Sequence, residues 1–455
     1  KNEYLVKNLK IERPAIKFVV NKPQSKHTPE QIDELEKWLE LIEVNSTIIS
    51  QGNVSVNDNR GQYKKTYLVN GFSLKIAGAH VDTNILDRIV LEDLQKNYRF
   101  SIRELKHQIP EEELLIKVND IAYSSITQLF KCNEIAISPN ELKLKKKMAN
   151  ANQLYHLENL QLAGVAISDL DLNKLSEGRK TVLGRVVLKS PVLALSCDTS
   201  DKIKPDSLVV KNTNLPYELD SLSTKLLKII NAKVSFTNSR DESIKYGTFS
   251  QANISAVNLN WKELNSRDEI AQTLLTKTAI ESGKSEFINP KTKDKVSWNS
   301  LSADPISKTF VISNLAVTPS SKKTNNLKLG LLRMKGLNYD QVLLNSVLVA
   351  KSLELQDVDL NLVEENQKEK GLRLNMVRFE TVDVKNLNLK RSKGDTVNLR
   401  LKGVELIGTK VKMVKDSASN TPSISYGTIE ASIDGLMTVN KSRNSTTTTQ
   451  KVKFN

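Results

Sequence analysis

The chain has 455 residues, with 67 Lys and Arg against 52 Asp and Glu for a formal charge of +15, and that length is too great for one ordinary compact domain. Apolar residues make up 39% and aromatics only 5%, with 17 Gly and 12 Pro, which excludes collagen-like and disordered chains and leaves a core poor in aromatics. No stretch approaches the roughly 18 consecutive apolar residues of a spanning helix, and the first residues hold no apolar signal core.

In chain order, the first element is a strand phrase in which Leu9 and Ile11 are followed by Ile16 and Phe18, with Pro14 in the gap. A helix is predicted next: Thr28 caps it, Gln31 completes the cap, Pro29 sits in the first turn, and Ile32, Leu35, Leu39 and Ile42 form its stripe. The strand phrase then returns as Thr47, Ile49, Val54 and Val56, with Gly52 in the gap. An alternating segment opens at Tyr67 and leads to a second predicted helix over 84–96, with Ile85, Ile89, Val90 and Leu94 on one side. Strands are predicted over 114–122, 134–138 and 157–167. The phrase recurs as Val186, Leu188, Leu193 and Leu195 around Pro191, and as Leu208, Val210, Leu215 and Tyr217. After a strand at 233–237 and an alternating segment from Tyr246, a third helix is predicted from the capping box Ser266 and Glu269, with Ile270 and Leu274 inside and Gly283 beyond its end. Strands at 309–317 and 327–334 precede two last copies, Leu353, Leu355, Leu360, Leu362 and Val404, Leu406, Val411, Met413. Tyr426 opens a further segment, at the same long spacing as Tyr67 and Tyr246. Residues 440–450 are rich in Ser, Thr and Asn and read as a frayed end or a link.

The phrase has a physical meaning. Period-two alternation puts each apolar pair on one strand face, but the five-residue jump between pairs breaks parity. A two-residue hairpin at Gln51-Gly52 restores it, setting Ile49 opposite Val54 and Thr47 opposite Val56. Pro14 and Pro191 cannot take the positive φ of such a loop, so those copies need a bulge or kink. The alternate positions carry Lys10, Glu12, Lys17, Glu354, Asp359, Asn361, Lys410 and Lys412, so one face is apolar and the other wet. Short connections predict antiparallel pairing.

Chemical motifs are scarce. Cys132 and Cys197 stand outside CxxC spacing and fit either free thiols or a disulfide. His27, His80, His107 and His156 never form HxxxH or HExxH; His80 and Asp82 alternate on a strand, as metal ligands or as plain surface residues. No phosphate-cradling glycine loop or nucleophile elbow occurs, so the chain reads as no enzyme, with no cofactor and no metal. The basic run Lys143, Lys145, Lys146 and Lys147 lacks stacking aromatics, which argues against nucleic acid.

An apolar sheet face is buried either by a second sheet or by curling into a trough. The inward positions are mainly Leu, Ile and Val, which acyl chains would suit, each methylene contributing roughly 0.8 kcal/mol. The phrases Leu9-Lys-Ile-Glu-Arg-Pro-Ala-Ile-Lys-Phe18, Ile42-Glu-Val-Asn-Ser-Thr-Ile-Ile-Ser-Gln-Gly-Asn-Val-Ser-Val56 and Ile203-Lys-Pro-Asp-Ser-Leu-Val-Val-Lys-Asn212 resemble the AsmA-like and TamB-like proteins, especially those of Bacteroidetes, and more broadly the bridge-like lipid-transfer proteins with repeating β-groove modules. The resemblance implies a mainly β fold, a long, curved and twisted antiparallel sheet forming an elongated hydrophobic groove, here with about three short helices. It implies one elongated segment over 1–455, with modules near 1–180, 181–340 and 341–440 and a flexible tail at 441–455. It further implies an inner-membrane anchor upstream of Lys1, a periplasmic location in a Gram-negative envelope, phospholipids or other acyl lipids as partners, an outer-membrane or envelope partner protein, and passive lipid movement. The groove would be lined by Leu9, Ile11, Ile16, Phe18, Ile49, Val54, Val56, Val186, Leu188, Leu193, Leu195, Leu208, Val210, Leu353, Leu355, Leu360, Leu362, Val404, Leu406, Val411 and Met413. The helices and the Tyr67, Tyr246 and Tyr426 spacing depart from the family's plain pattern. The rival expectation is a β-rich scaffold whose apolar faces pack fully against each other.

Overall fold

A computed structural model of the chain describes residues 3–20, 41–58, 65–82, 97–109, 114–139, 155–176, 180–197, 222–238, 244–261, 272–273, 276–289, 292–320, 325–364, 374–393, 396–414, 423–440 and 445–454. Its contacts form two units. The first comprises Lys1–Leu195, Lys204–Ile230 and Asn258–Asn265; the second comprises Ser196–Ile203, Asn231–Val257 and Ser266–Asn455. The described residues are mainly strand, as the alternation predicts.

The elements run β1 (Glu3–Val6), β2 (Leu9–Glu12), β3 (Ala15–Val20), β4 (Leu41–Asp58), β5 (Lys65–Asp82), β6 (Tyr98–Ile109), β7 (Leu114–Ser124), β8 (Leu129–Cys132), β9 (Glu134–Pro139), β10 (Tyr155–Leu162), β11 (Gly164–Ile167), α1 (Leu172–Ser176), β12 (Thr181–Lys189), β13 (Val192–Cys197) and β14 (Leu222–Asn238). They continue as β15 (Lys245–Asn260), β16 (Thr278–Ser282), β17 (Ser285–Ile288), β18 (Lys295–Trp298), β19 (Ser300–Asp304), β20 (Thr309–Thr318), β21 (Asn326–Lys335), α2 (Tyr339–Leu344), β22 (Val347–Glu364), β23 (Met376–Lys393), β24 (Thr396–Val414), β25 (Ser423–Ser425), β26 (Ile429–Asn440) and β27 (Ser445–Phe454).

In the first unit β4, β5, β6 and β7 pair antiparallel in sequence order; β7 then pairs with both β8 and β9, which pair with β11 and β10. In the second, β15 pairs with both β16 and β17, those with β19 and β18, and both of these with β20. The ladder continues through β21, β22, β23, β24, β26 and β27. The sheet is mixed rather than antiparallel throughout: β1, β2 and β3 run parallel to β4, β12 to β14, and β22 to β23. Parallel neighbours need a long crossover, and the intervals 21–40 and 190–221 provide the length for two of them.

The five-residue jump is a bulge inside the strand, not a hairpin. β4 runs unbroken through Gln51-Gly52, and Gln51 takes φ 54°. A residue in that left-handed conformation interrupts the alternation, so the side chain after it falls on the same face as the one two before it. In all five described copies of the phrase a positive-φ residue occupies the gap: Arg13, Gln51, Ser190, Asp357 and Lys410. Others extend the series along the ladder at Gly71, Asp120, Asn231, Gln251, Asn314, Asn386 and Gly403. Neighbours meet across the strands, with Gly71 level with the β4 shift, Asn314 opposite Gly330, Asp357 beside Asn386, and Gly403 opposite Asp434. In the first unit the break at Asn133 lies level with Asp120, and Asn133 N–H donates to Asn119 O; in the second the break at Gly283 lies level with Gln251, and Gly283 N–H donates to Ser250 O.

Each shift strands backbone groups, and side-chain amides satisfy them. Asn53 Oδ1 accepts from Gly71 N–H at 3.2 Å, Asn253 Oδ1 from Asn231 N–H at 2.8 Å, and Asn388 Oδ1 from Gly403 N–H at 3.2 Å. Each of these asparagines lies two residues after a positive-φ residue on its own strand, in Gln51-Gly-Asn53, Gln251-Ala-Asn253 and Asn386-Leu-Asn388. At Gly71 a side chain is doubly costly, because φ is +65° and a Cβ would meet Arg103 Cβ at 2.9 Å.

Several expectations are revised. The first two predicted helices lie outside the described residues, except that Ile42, placed on the first stripe, belongs to β4. Of the third, Gln272, Thr273, Thr276 and Lys277 are helical, and Gly283 separates β16 from β17 rather than ending the helix. Residues 445–454, expected as a tail, form β27 paired with β26; threonine's branched Cβ suits a pleated strand. The copy at Leu208–Tyr217 and the basic run at 143–147 lie outside the described residues.

Two substitutions test the bulge line. Asn314 is exposed at φ 50°, so Asn314→Gly should leave the urea midpoint unchanged or slightly raised, whereas Asn314→Val should cost about 1–3 kcal/mol. Asn388→Ala should cost about 1–3 kcal/mol in the same assay by leaving Gly403 N–H without its acceptor.

Candidate functional site

Parity shifts placed level on neighbouring strands keep one face apolar on both sides of the line. In the first unit one cross-strand row reads Ile11, Ile49, Leu74, Phe100, Tyr123, Phe130, Ile167, Val186 and Leu227. Beyond the shift a second row reads Ile16, Val54, Val69, Leu105, Val118, Ile135 and Leu162. A third reads Phe18, Val56, Tyr67, His107, Ile116 and Ile137, with the Tyr67 and His107 rings stacked at 4.1 Å. Sequence reasoning therefore collected Ile11, Ile16, Phe18, Ile49, Val54, Val56 and Val186 onto one face. It missed most of β5 to β9, although Tyr67, Val69, Leu74 and Ile76 of β5 carry the same spacing in full.

The second unit repeats this. One row reads Leu301, Ile312, Leu332, Leu355, Val384, Leu406 and Ala431. Another, past the shift, reads Phe287, Val296, Val317, Leu327, Leu360, Leu389, Leu401 and Leu436. Leu353 aligns with Met334 and Val382, Leu362 follows Leu360 on the same face, and Val411 and Met413 pair with Phe379 and Val377. Leu188 pairs with Val165 and Ile229, and Leu193 and Leu195 lie on β13 beyond Ser190.

Burial along this face is uneven. Near the helices it is a core: Tyr123, Leu183 and Val186 are buried with Leu170 and carry Leu172 and Leu175 of α1, while Leu337, Ala350 and Phe379 are buried with Tyr339 and Val342 of α2 against them. Tyr123 Oη donates to Leu170 O at 2.9 Å. Asn338 caps α2, its side chain accepting from Gln341 N–H. Burial extends past the helices to Ile121 and Leu162 in the first unit and to Leu329, Val358 and Val404 in the second, and elsewhere the face is partly open. None of the eight residues from Phe287 to Leu436 is buried, and at the edge of the first unit Leu9 is 40% exposed, Ile11 38%, Ile16 44% and Phe18 51%. Leaving half of such a side chain in water forgoes about 1 kcal/mol.

Titratable groups are few on this face. Burial pushes the Tyr98 and Tyr339 phenols up to about 12, and burial pushes the Cys132 thiol up. Cys132 is free and buried; the side chains of Cys197 and of His80 and Asp82 lie outside the described residues. Tyr339 Oη donates to Thr309 O, which holds the neutral phenol over the end of the face. Because the folded value lies above the ordinary 10.0, this stabilisation is present below pH 10 and is lost as pH rises towards about 12. Tyrosinate absorbance during alkaline titration should show the late ionisation, and Tyr339→Phe should remove one such step and flatten the fall in stability.

Among the described residues no group of three His, Cys, Asp or Glu side chains is placed to hold a metal ion, and no helix is long and apolar enough to cross a membrane. No family model matches the chain, and no curated protein matches it.

Proposed function

We propose that this chain is a passive carrier of acyl lipids, whose tails lie along the aliphatic face while headgroups remain in water. The observation that carries the reading is the row from Phe287 to Leu436, in which no residue is buried although every one is apolar. Phe287 is exposed and the other seven are half-buried, and contiguous apolar surface left partly in water supports a binding role. Its chemistry suits alkyl chains: there are no hydrogen-bond groups to satisfy, and each methylene withdrawn from water contributes roughly 0.8 kcal/mol. No energy source or cofactor is needed, since lipids would move by diffusion along the face. The resemblance to AsmA-like and TamB-like proteins makes phospholipid the substrate class and the Gram-negative periplasm the setting, with an inner-membrane anchor.

Native mass spectrometry of the purified chain should find phospholipid bound. Leu360→Asp with Leu389→Asp should leave the circular dichroism spectrum intact and lower lipid occupancy at least about tenfold, since a charge on that face is costly to cover with acyl chains. Lipid-free protein that unfolds on the same substitutions would instead establish a packed scaffold.

A further inference from the structure

The wet face of the first unit holds a concavity of about 590 Å³, on the side of the sheet opposite the aliphatic rows. Two cross-strand rows form it. One runs Ile48, Lys75, Arg99, Ser124 and Leu129, and the other Ser73, Ser101, Ala122 and Lys131, with Ser50 beside them at the β4 shift; Lys10 and Glu12 of β2 prolong the rows past the concavity. Lys75 and Arg99 are directly opposite one another in the β5–β6 register, an arrangement of like charges that destabilises a sheet unless something lies between them. Lys131 of β8, opposite Ala122 and two strands from Arg99, lines the same concavity. The one carboxylate in the two rows, Glu12, is engaged by Lys10 at 2.5 Å, so no acid in these rows balances the three cations. The hydroxyls supply donors. Ser73 Oγ accepts from Gln51 N–H at 3.3 Å, which leaves its own O–H free to donate. Ser124 Oγ, across from Arg99, is sealed from solvent with no hydrogen-bond partner.

We propose that this concavity binds a phosphate group, with Lys75, Arg99 and Lys131 supplying charge and the Ser73 and Ser101 hydroxyls supplying hydrogen bonds. Guanidinium and ammonium groups bind phosphate oxygens through charge-assisted bonds, and an anion seated here converts the Lys75–Arg99 repulsion into a clamp. The site is separate from the aliphatic face, and its test does not depend on acyl chains binding there. The phosphate can belong to a free anion or to a lipid headgroup.

Calorimetric titration with inorganic phosphate, and with dihexanoyl phosphatidic acid below its micellar concentration, distinguishes the two. Saturable binding of both with similar affinity assigns a free phosphate, and tighter or exclusive binding of the lipid assigns a headgroup. In either case Lys75→Ala, Arg99→Ala and Lys131→Ala together should weaken binding at least tenfold, while Lys328→Ala, Lys335→Ala and Lys412→Ala, which remove the same charge elsewhere, should not. Arg99→Ala alone, at an exposed position, serves if the triple variant does not fold. Without ligand its urea midpoint should equal or exceed that of the parent, because a like-charge contact is removed. The proposal is overturned if neither probe binds, if the site variants bind as the parent does, or if the control triple weakens binding equally.

Discussion

The structure depends on parity. A strand turns its side chains over at every residue, so a long strand that bends must either lose its apolar face at the bend or reset the alternation there. This chain resets it with left-handed residues on several strands of each unit, some of them level with one another across neighbouring strands. Sixteen non-glycine residues among those described take positive φ, some at these resets and others, such as Gln128, Lys308 and Ser346, in turns or bends; in that region a side chain crowds its own backbone. Composition tempers it: seven of the sixteen are Asn or Asp, the residues that tolerate this region best. Asn53, Asn253 and Asn388 then use their amides to pair the N–H groups that the shift leaves over. A shift on one strand alone would turn its next apolar pair to the wet side, so the shifts keep the face apolar only as a set.

How far the sequence reveals this follows from which facts are local. The jump from Ile49 to Val54, or from Leu355 to Leu360, announces a parity break by itself. Whether a hairpin or a bulge repairs it depends on the neighbouring strand, because only the register of Leu74 and Val69 against Ile49 and Val54 shows that β4 continues. The amide signature Gln-Gly-Asn, Gln-Ala-Asn and Asn-Leu-Asn was present in the letters and would have pointed to the bulge. The helices α1 and α2 have five and six residues, too short to display a 3.6-residue stripe, so they were invisible to periodicity. Parallel pairing of β22 with β23 is likewise a relation between distant segments that neither strand carries in its own pattern. The aliphatic face itself was legible in the copies collected; β5 carries the same spacing at Tyr67, Val69, Leu74 and Ile76, whereas the break at Asn133 divides the pattern between β8 and β9.

The two helices explain why the same rows can be core at one level and open at another. Leu172 and Leu175 of α1, and Tyr339 and Val342 of α2, supply the second layer that a sheet face requires. That layer reaches only the strands beside it. Row by row, Ala350 and Phe379 are sealed while Leu360 and Leu389 are not, although all four have side chains suited to a core. Helix cover is only part of the difference, since Leu329, Val358 and Val404 next to that row are buried as well; hydrophobicity alone therefore could not separate a packed sandwich from an open face.

An aliphatic surface has a further consequence for selectivity. Leu, Ile and Val present no donors or acceptors, so they recognise the length and saturation of a chain but nothing about its polar end. Under the proposed lipid-carrying role, any discrimination between headgroups would have to come from polar side chains, which parity places mainly on the other face or at the edges of the rows. The cations Lys75, Arg99 and Lys131 stand directly behind the row of Leu74, Phe100 and Phe130, one residue away on each strand. The alternation that makes one side greasy therefore builds a charged side at a fixed distance across the same backbone, and a sheet one layer thick carries both chemistries in the same strands.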